Sequence, residues 1–416
     1  TSFGAWNKLK NFFLKIIFMM TVLPALVAGI LIFGGWGSKL PAGVYINGIY
    51  AGGMRRSRAA AAIREAIASD LANHSLTVRG SALYSYSYPE INFTDNIKSV
   101  ISSVRGAGEY SARVDYYLNG LDEVISGICA AEFKEMRPAA AYFNSGEGQP
   151  FTYESGRDGA VCNGKKLRER LLASLSSRAF GGDFAEVEAE CRKIKSEGSV
   201  EELKRKTSLL SAYTTYFDGD NAPRVSNIRL ASQKISGCVL QAGEVFSFNS
   251  RVGARTEKNG FRKAKIIEEG RFVYGTGGGV CQVSTTVYNA ALLAGLSVTE
   301  YHPHSLAVGY VSPSRDAMVS GTYSDLKVKN SGKSPVYIRM LTGKNYVRCE
   351  VYGLSDGAQY SLSSQSAQLE DGSTESACYL AVTRGGVTYE KLLRRDKYLP
   401  AKSETKEETA QQSAVS

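Results

Sequence analysis

Residues Gly275–Leu296 read GTGGGVCQVSTTVYNAALLAGL, and the fold of the most specific region of the chain turns on this stretch. Val280, Val283, Val287, Ala290 and Ala294 recur at alternating three- and four-residue spacing, which lays them along one face of a helix. Gly295 supplies a stop. The spacing therefore predicts a helix that starts straight after three glycines, with Cys281 at, or one residue inside, its N-terminus. Backbone N–H groups without helical partners collect there, together with partial positive charge. A thiol so placed has its thiolate favoured. Gly277, Gly278 and Gly279 let backbone approach a ligand closely. Their N–H groups, with the Gln282 side chain, are candidates to stabilise an oxyanion.

Working downstream, two of the three histidines follow as His302 and His304. Their i, i+2 spacing puts them on one face of an extended stretch, with Pro303 between them confining that stretch to an edge. Cysteine at a helix start followed by histidine on a later strand is the order of papain-like cysteine peptidases. In that reading Cys281 is the nucleophile and His304, or His302, the general base; Asp316 or Asp325 orients the histidine. Tyr288 and Glu244 are candidate substrate contacts. The bland alternative is that the glycines serve turn geometry and the cysteine is one more buried residue. Zinc held by Cys281, His302 and His304 is a third reading, but three ligands on separate elements make no motif. No metal site and no cofactor are assigned.

The surrounding texture predicts an α+β, multidomain chain. Short strands and dense glycine run from 213 to 341. Residues 343–398 are β-rich, with a hairpin signal at Gly385-Gly386. Residues 401–416 lack apolar periodicity and read as a disordered tail. Upstream lie two small α+β units at 44–105 and 108–207. The first has a strand at Gly43–Ile49 and a helix at Ser57–Ala72. The second has helices at Gly120–Met136 and Gly164–Leu175, and Glu201–Tyr213 reads as a helix leading onward.

Between Ile16 and Ser38 there is no Asp, Glu, Lys or Arg. A run of roughly 20 apolar residues is long enough to cross a bilayer, so 16–38 is expected to be an uncleaved transmembrane helix. Lys8, Lys10 and Lys15 precede it and only Lys39 closely follows. The positive-inside rule then leaves residues 1–15 in the cytoplasm and the bulk of the chain outside. The formal charge is +10 and the pI about 9.1. An exported basic protein suits peptidoglycan or another anionic wall polymer such as teichoic acid. Outward topology and the lack of a long Lys/Arg run argue against nucleic acid, and nothing selects a protein partner. Seven cysteines leave at least one thiol unpaired within the chain. Cys349 and Cys378 are the expected disulfide pair and Cys281 the expected free thiol.

Several blocks agree, in order and spacing, with one known family. SNIRLASQKISGCVLQAGEVFSFNSRVGARTEKNGFRKAKIIEEG, then GTGGGVCQVSTTVYNAALLAGLSVTEYHPHS, then RDAMV and YSDLKVKN resemble the VanW domain of Gram-positive bacteria over about Tyr213–Leu341. The matching positions are Gly243, Glu244, Phe246, Ser247, Phe248 and Asn249; Gly277, Gly278, Gly279, Cys281 and Gln282; and His304, Asp316 and Asp325. Ala242 stands where the family usually has proline, which relaxes a turn and removes no chemical group. The resemblance implies an upstream membrane segment and peptidoglycan-binding-like units, matching 44–105 and 108–207 in pattern. It also brings Asn249 and Glu244 into the candidate ligand set. The family name comes from glycopeptide-resistance clusters and does not by itself imply resistance.

Overall fold

Along helix α1 (Arg56–Asn73) the residues Ala59, Ile63, Ile67 and Leu71 recur every four positions, and all are buried. That apolar stripe forms one wall of a core. The structure, a computed structural model, describes residues 38–400 except 269 and 322. The expected membrane helix (16–38, except its last residue), cytoplasmic stretch (1–15) and tail (401–416) lie outside the described residues. Among the described residues no helix is long and apolar enough to cross a membrane.

Two units emerge. The first takes the described residues up to Met136 together with Asp158–Lys195. It adds α2 (Ile97–Ser103), α3 (Leu121–Glu132) and α4 (Gly164–Ser177) to α1, with small two- and three-stranded sheets. Its core runs without a break from Leu40 through Ile91, Ile128 and Leu171 to Ala189. The stretches 44–105 and 108–207, set apart in the sequence reading, thus both contribute to one core, while residues 137–157 and those from 196 onward belong to the second unit.

In the second unit α5 spans only Val200–Lys206. The expected helix Glu201–Tyr213 stops there, and Ser208–Tyr216 is a strand. The reason lies in pairing: the strand aligns antiparallel along Tyr346–Gly353, and Thr214, Thr215 and the tyrosines suit a pleated surface better than a helix. With Val336–Thr342 and Cys238–Leu240 these make a four-stranded antiparallel sheet. Helix α6 (Ala222–Ile235) carries Pro223 in its first turn, and Asn221 caps it by accepting from the Arg224 N–H. Ser247 caps the short α7 (Phe248–Val252).

Helix α8 (Val280–Leu293) is the one read from Gly275–Leu296. It is buried nearly all round rather than on one face: Gln282, Ser284, Thr285, Thr286 and Asn289 are as inaccessible as its valines. Gly295, in the left-handed region at φ +73°, ends it, and the Leu296 N–H reaches back to the Ala291 carbonyl. Beyond the family-like blocks come three antiparallel strands, Gln359–Gln368, Thr374–Arg384 and Val387–Tyr398. Arg384 faces Val387 across Gly385 and Gly386, both at positive φ, the geometry of a two-residue hairpin turn. All seven cysteines are free thiols. The expected Cys349–Cys378 disulfide is not formed, because the two lie on strands of different sheets.

Candidate active site

The glycines before α8 are required by backbone. Gly277 and Gly279 have φ of +95° and +105°, where a side chain is strained. A Cβ on Gly278 would lie 2.7 Å from the Lys265 carbonyl oxygen and 2.8 Å from the Ala264 carbonyl carbon. The hairpin Lys263–Glu268/Arg271–Thr276 can therefore lie directly against the turn. That contact brings Cys281 into the first turn of α8.

The polar side chains along α8 then lash down a loop. Ser284 Oγ donates to the Ala317 carbonyl (2.6 Å) and Thr285 Oγ1 accepts from the Ala317 N–H (3.0 Å). Asn289 bonds both the carbonyl and the side chain of Arg315 (2.8 and 3.0 Å). Asp316, held between these anchors, is only 1% exposed. One of its carboxylate oxygens takes the His304 ring at Nδ1 (2.6 Å) and the His304 backbone N–H (2.7 Å). With Nδ1 committed, Nε2 is left for the Cys281 thiol, which is within hydrogen-bonding reach of the ring. The thiol also meets the Val319 carbonyl at 3.4 Å. Cys281, His304 and Asp316 thus form one line.

Charge within that line follows from its partners. Burial opposes ionisation of Cys281, but the hydrogen bond and charge of His304, with Arg255 beyond, bring the thiol below its ordinary value. Burial would lower His304; Asp316 and Cys281 instead push it up to about 9. Burial likewise opposes ionisation of Asp316, yet His304, Arg394 and Tyr398 hold it below the usual carboxylate range. Both shifts move the pair toward thiolate and imidazolium.

Other residues named from the sequence have different occupations. His302 is not beside His304: residues 301–304 are not in a strand, and its ring turns to Glu300 at 3.1 Å. Asp325 accepts from Ser247 Oγ (2.5 Å) and from the backbone N–H of Asn249 and Leu326 (both 2.8 Å), so it fixes the start of α7. Gln282 spends its amide on the Tyr216 carbonyl (2.8 Å) and Thr215 (3.1 Å), and its oxygen accepts from Arg224 (2.8 Å). Glu244 closes the turn at Gly243 by accepting from the Gln241 N–H (2.8 Å). Tyr288 is a core residue, 1% exposed. Asn249 does face the site, where its side-chain oxygen accepts from Arg255. The Gly277 N–H donates to the Arg262 carbonyl at 3.0 Å, and the Val280 and Gln282 N–H groups donate to the Gly277 and Gly279 carbonyls at 3.1 and 3.0 Å, which leaves the Gly278, Gly279 and Cys281 amides as the candidates to stabilise an oxyanion. Among the described residues no group of three His, Cys, Asp or Glu is arranged to hold a metal ion.

Cys281 and His304 open onto a cavity of about 860 Å³ lined also by Arg224, Asn249, Arg255, Lys265, the three glycines and Tyr310. Arg224 and Arg255 hydrogen-bond to neutral amide oxygens, and burial lowers the pKa of each. Sequence reasoning missed both, although Arg255 sits in the basic stretch after Val252. It also missed Arg394 and Tyr398, on the last strand. Arg394 Nη2 and Tyr398 Oη each reach the second Asp316 oxygen at 2.7 Å, and Arg394 Nη1 donates to the Asp316 carbonyl at 2.8 Å. Arg394 is 5% exposed.

Residues 223–352 match the family model described as VanW like protein. Over 133 residues the chain is 42% identical to the uncharacterized protein YoaR of Bacillus subtilis, covering 32% of this chain and 44% of that protein. Over 113 residues it is 26% identical to the vancomycin B-type resistance protein VanW of Enterococcus faecalis, covering 26% of this chain and 41% of that protein. The chain thus spans less than half the length of these curated relatives. No solved structure matches. Arg394 and Tyr398 lie beyond the matched segment. What surrounds Cys281, from residue 223 to residue 352, is thus similar to the VanW-like family model and to part of these two relatives.

Proposed function

We propose that this is a cell-envelope protein whose VanW-like domain carries out cysteine-based acyl transfer on peptide or amide bonds of the wall. The observation that carries the reading is the Cys281–His304–Asp316 line opening onto a cavity. The Cys281 thiolate attacks a carbonyl carbon and forms a C–S bond, and the oxygen takes the negative charge beside the α8 amides. The carbon–nitrogen bond breaks as His304 gives its proton to the leaving amine. The resulting thioester is opened by an acceptor amine, which gives transpeptidation, or by water, which gives hydrolysis. His304 takes the incoming proton and the pair is restored. Asp316 holds the ring so that Nε2 faces the sulfur.

Two half-buried guanidiniums beside the nucleophile, Arg224 and Arg255, neither in an ion pair with a carboxylate among the described residues, favour a substrate with an anionic group near the scissile bond. Peptidoglycan stem peptides carry such carboxylates. Association with peptidoglycan, or another anionic wall polymer, and anchoring through residues 16–38 belong to the same proposal. Their support is the +10 formal charge and the apolar run.

The test is alkylation of Cys281 across pH 4–9 with peptide mapping, followed by incubation with stem peptides and mass spectrometry of the Cys281 peptide. Labelling should persist well below the ordinary thiol midpoint near 8.5 and shift upward in His304→Ala, and an acyl adduct should appear on Cys281. An ordinary midpoint, unmoved in the variant, would leave a structural cysteine and end the catalytic reading. Pelleting of the protein with insoluble peptidoglycan at low salt tests the association separately.

A further inference from the structure

Three more cysteines meet inside the first unit. Cys162 ends the strand Gly159–Cys162, Cys191 opens the strand Cys191–Ile194, and the two are directly opposite in an antiparallel pair. The next pair along is hydrogen-bonded, with the Asn163 N–H donating to the Glu190 carbonyl at 3.0 Å. Hydrogen-bonded and non-hydrogen-bonded pairs alternate, so Cys162 and Cys191 occupy a non-hydrogen-bonded position. Cα atoms there are about 4.5 Å apart, with side chains at their closest. That separation is within the range a disulfide spans. Cys129, on α3, completes the group: its sulfur lies 3.5 Å from where a Cβ on Gly164 would stand. Cys129 and Cys191 both act on the Cys162 thiol. Cys162 is buried, while Cys129 and Cys191 are partly exposed.

We propose that this cluster is a disulfide-forming site, in which Cys162 and Cys191 bond and Cys129 is the internal exchange thiol. The oxidant is a disulfide donor, either a dithiol–disulfide oxidoreductase or a small-molecule disulfide. Cys191, the more accessible of the pair, attacks the donor disulfide; a mixed disulfide forms at its sulfur and one donor thiol leaves. Cys162 then attacks the Cys191 sulfur and expels the second donor thiol. The protein loses two protons and two electrons, and the donor disulfide takes up both to become two thiols. Cys129 can attack the Cys162 sulfur and pass the bond round the cluster, returning Cys191 to the thiol. The direct register of the strands favours the Cys162–Cys191 bond at equilibrium. Burial pushes the Cys162 thiol up to about 12 and, with Glu132 close by, raises Cys191 as well. First attack is therefore slow without an oxidoreductase, whereas the bond once made carries no buried charge.

The test uses the full chain, reduced with a phosphine, equilibrated with oxidised glutathione, quenched with N-ethylmaleimide and mapped by mass spectrometry. The expected product is a peptide pair linked through Cys162 and Cys191, with maleimide on Cys129 and a melting temperature raised by several degrees. Cys129→Ser should keep that link, and Cys191→Ser should move it to Cys129–Cys162. Maleimide on all three cysteines in protein that circular dichroism shows folded would overturn the proposal. So would a persistent link from Cys162 or Cys191 to a cysteine outside the cluster. The wild-type mapping decides the matter even where a variant fails to fold.

Discussion

Replacing Arg394 with methionine should damage a site whose nucleophile lies more than a hundred residues earlier in the sequence. Methionine keeps most of the apolar stem but removes two hydrogen bonds to Asp316, at 2.7 and 2.8 Å, and one to Asp396 at 2.6 Å. The guanidinium also lies over the rings of Tyr301 and Tyr288, at 4.9 and 5.6 Å. Because Asp316 is 1% exposed, no water replaces the lost partner. Breaking a buried pair from one side costs about 3–5 kcal/mol, partly offset by His304 and Tyr398, which stay bonded to the carboxylate. With an m-value near 3 kcal/mol per M, the urea midpoint of the second unit should fall by roughly 1–1.5 M. In an Asp316→Asn background the same change should cost less, since only the Asp396 carboxylate is then left without its partner. A loss below about 1 kcal/mol, or an equal loss in both backgrounds, would show that the last strand does not support Asp316.

Other expectations concern separate parts of the site. Gly279→Ala forces a side chain at φ +105° with its Cβ 3.0 Å from Arg224 and Ile228; a loss of about 1–3 kcal/mol is expected, with slower Cys281 alkylation, read by denaturation and mapping. Asp325→Asn should cost about 1.5–3 kcal/mol through the α7 contacts yet leave the alkylation midpoint of Cys281 unmoved, which separates the two aspartates by function. His304 binds its proton more tightly folded than unfolded, so its contribution is complete below its ordinary value near 6.5 and is lost as pH rises through about 9. Urea midpoints of wild type should therefore converge on those of His304→Gln over that interval. Asp316, held low, contributes above about 3.9 and loses that contribution as pH falls through its lower folded value, so Asp316→Asn should flatten the acid limb.

Local pattern was enough to place the helix after Gly279 and Cys281 at its start, because a three-four repeat and a glycine stop are properties of neighbours in sequence. It was not enough to say that the helix would be buried all round. Ser284, Thr285 and Asn289 lie off the apolar stripe, yet their hydrogen bonds go to residues 315–317, a partnership visible only in three dimensions. The choice between Asp316 and Asp325 depended on the same loop path. His302 and His304 shared a face only if extended, and the chain around Pro303 is not a strand. Residues 208–213 were misread because their apolar positions fit either period over so short a run; strand pairing with Tyr346–Gly353 decides it. Arg394 and Tyr398 carry no local signal at all.

Arg394 and Tyr398 stand 78 and 82 residues after the aspartate they hold. A chain made from its N-terminus thus produces nucleophile, base and carboxylate long before the strand that steadies them. Until that strand arrives Cys281 is present but unsupported, so a protein truncated or clipped between 353 and 393 would keep every residue of the matched segment and lack a finished site. Timing, as well as geometry, is written into the order of the strands.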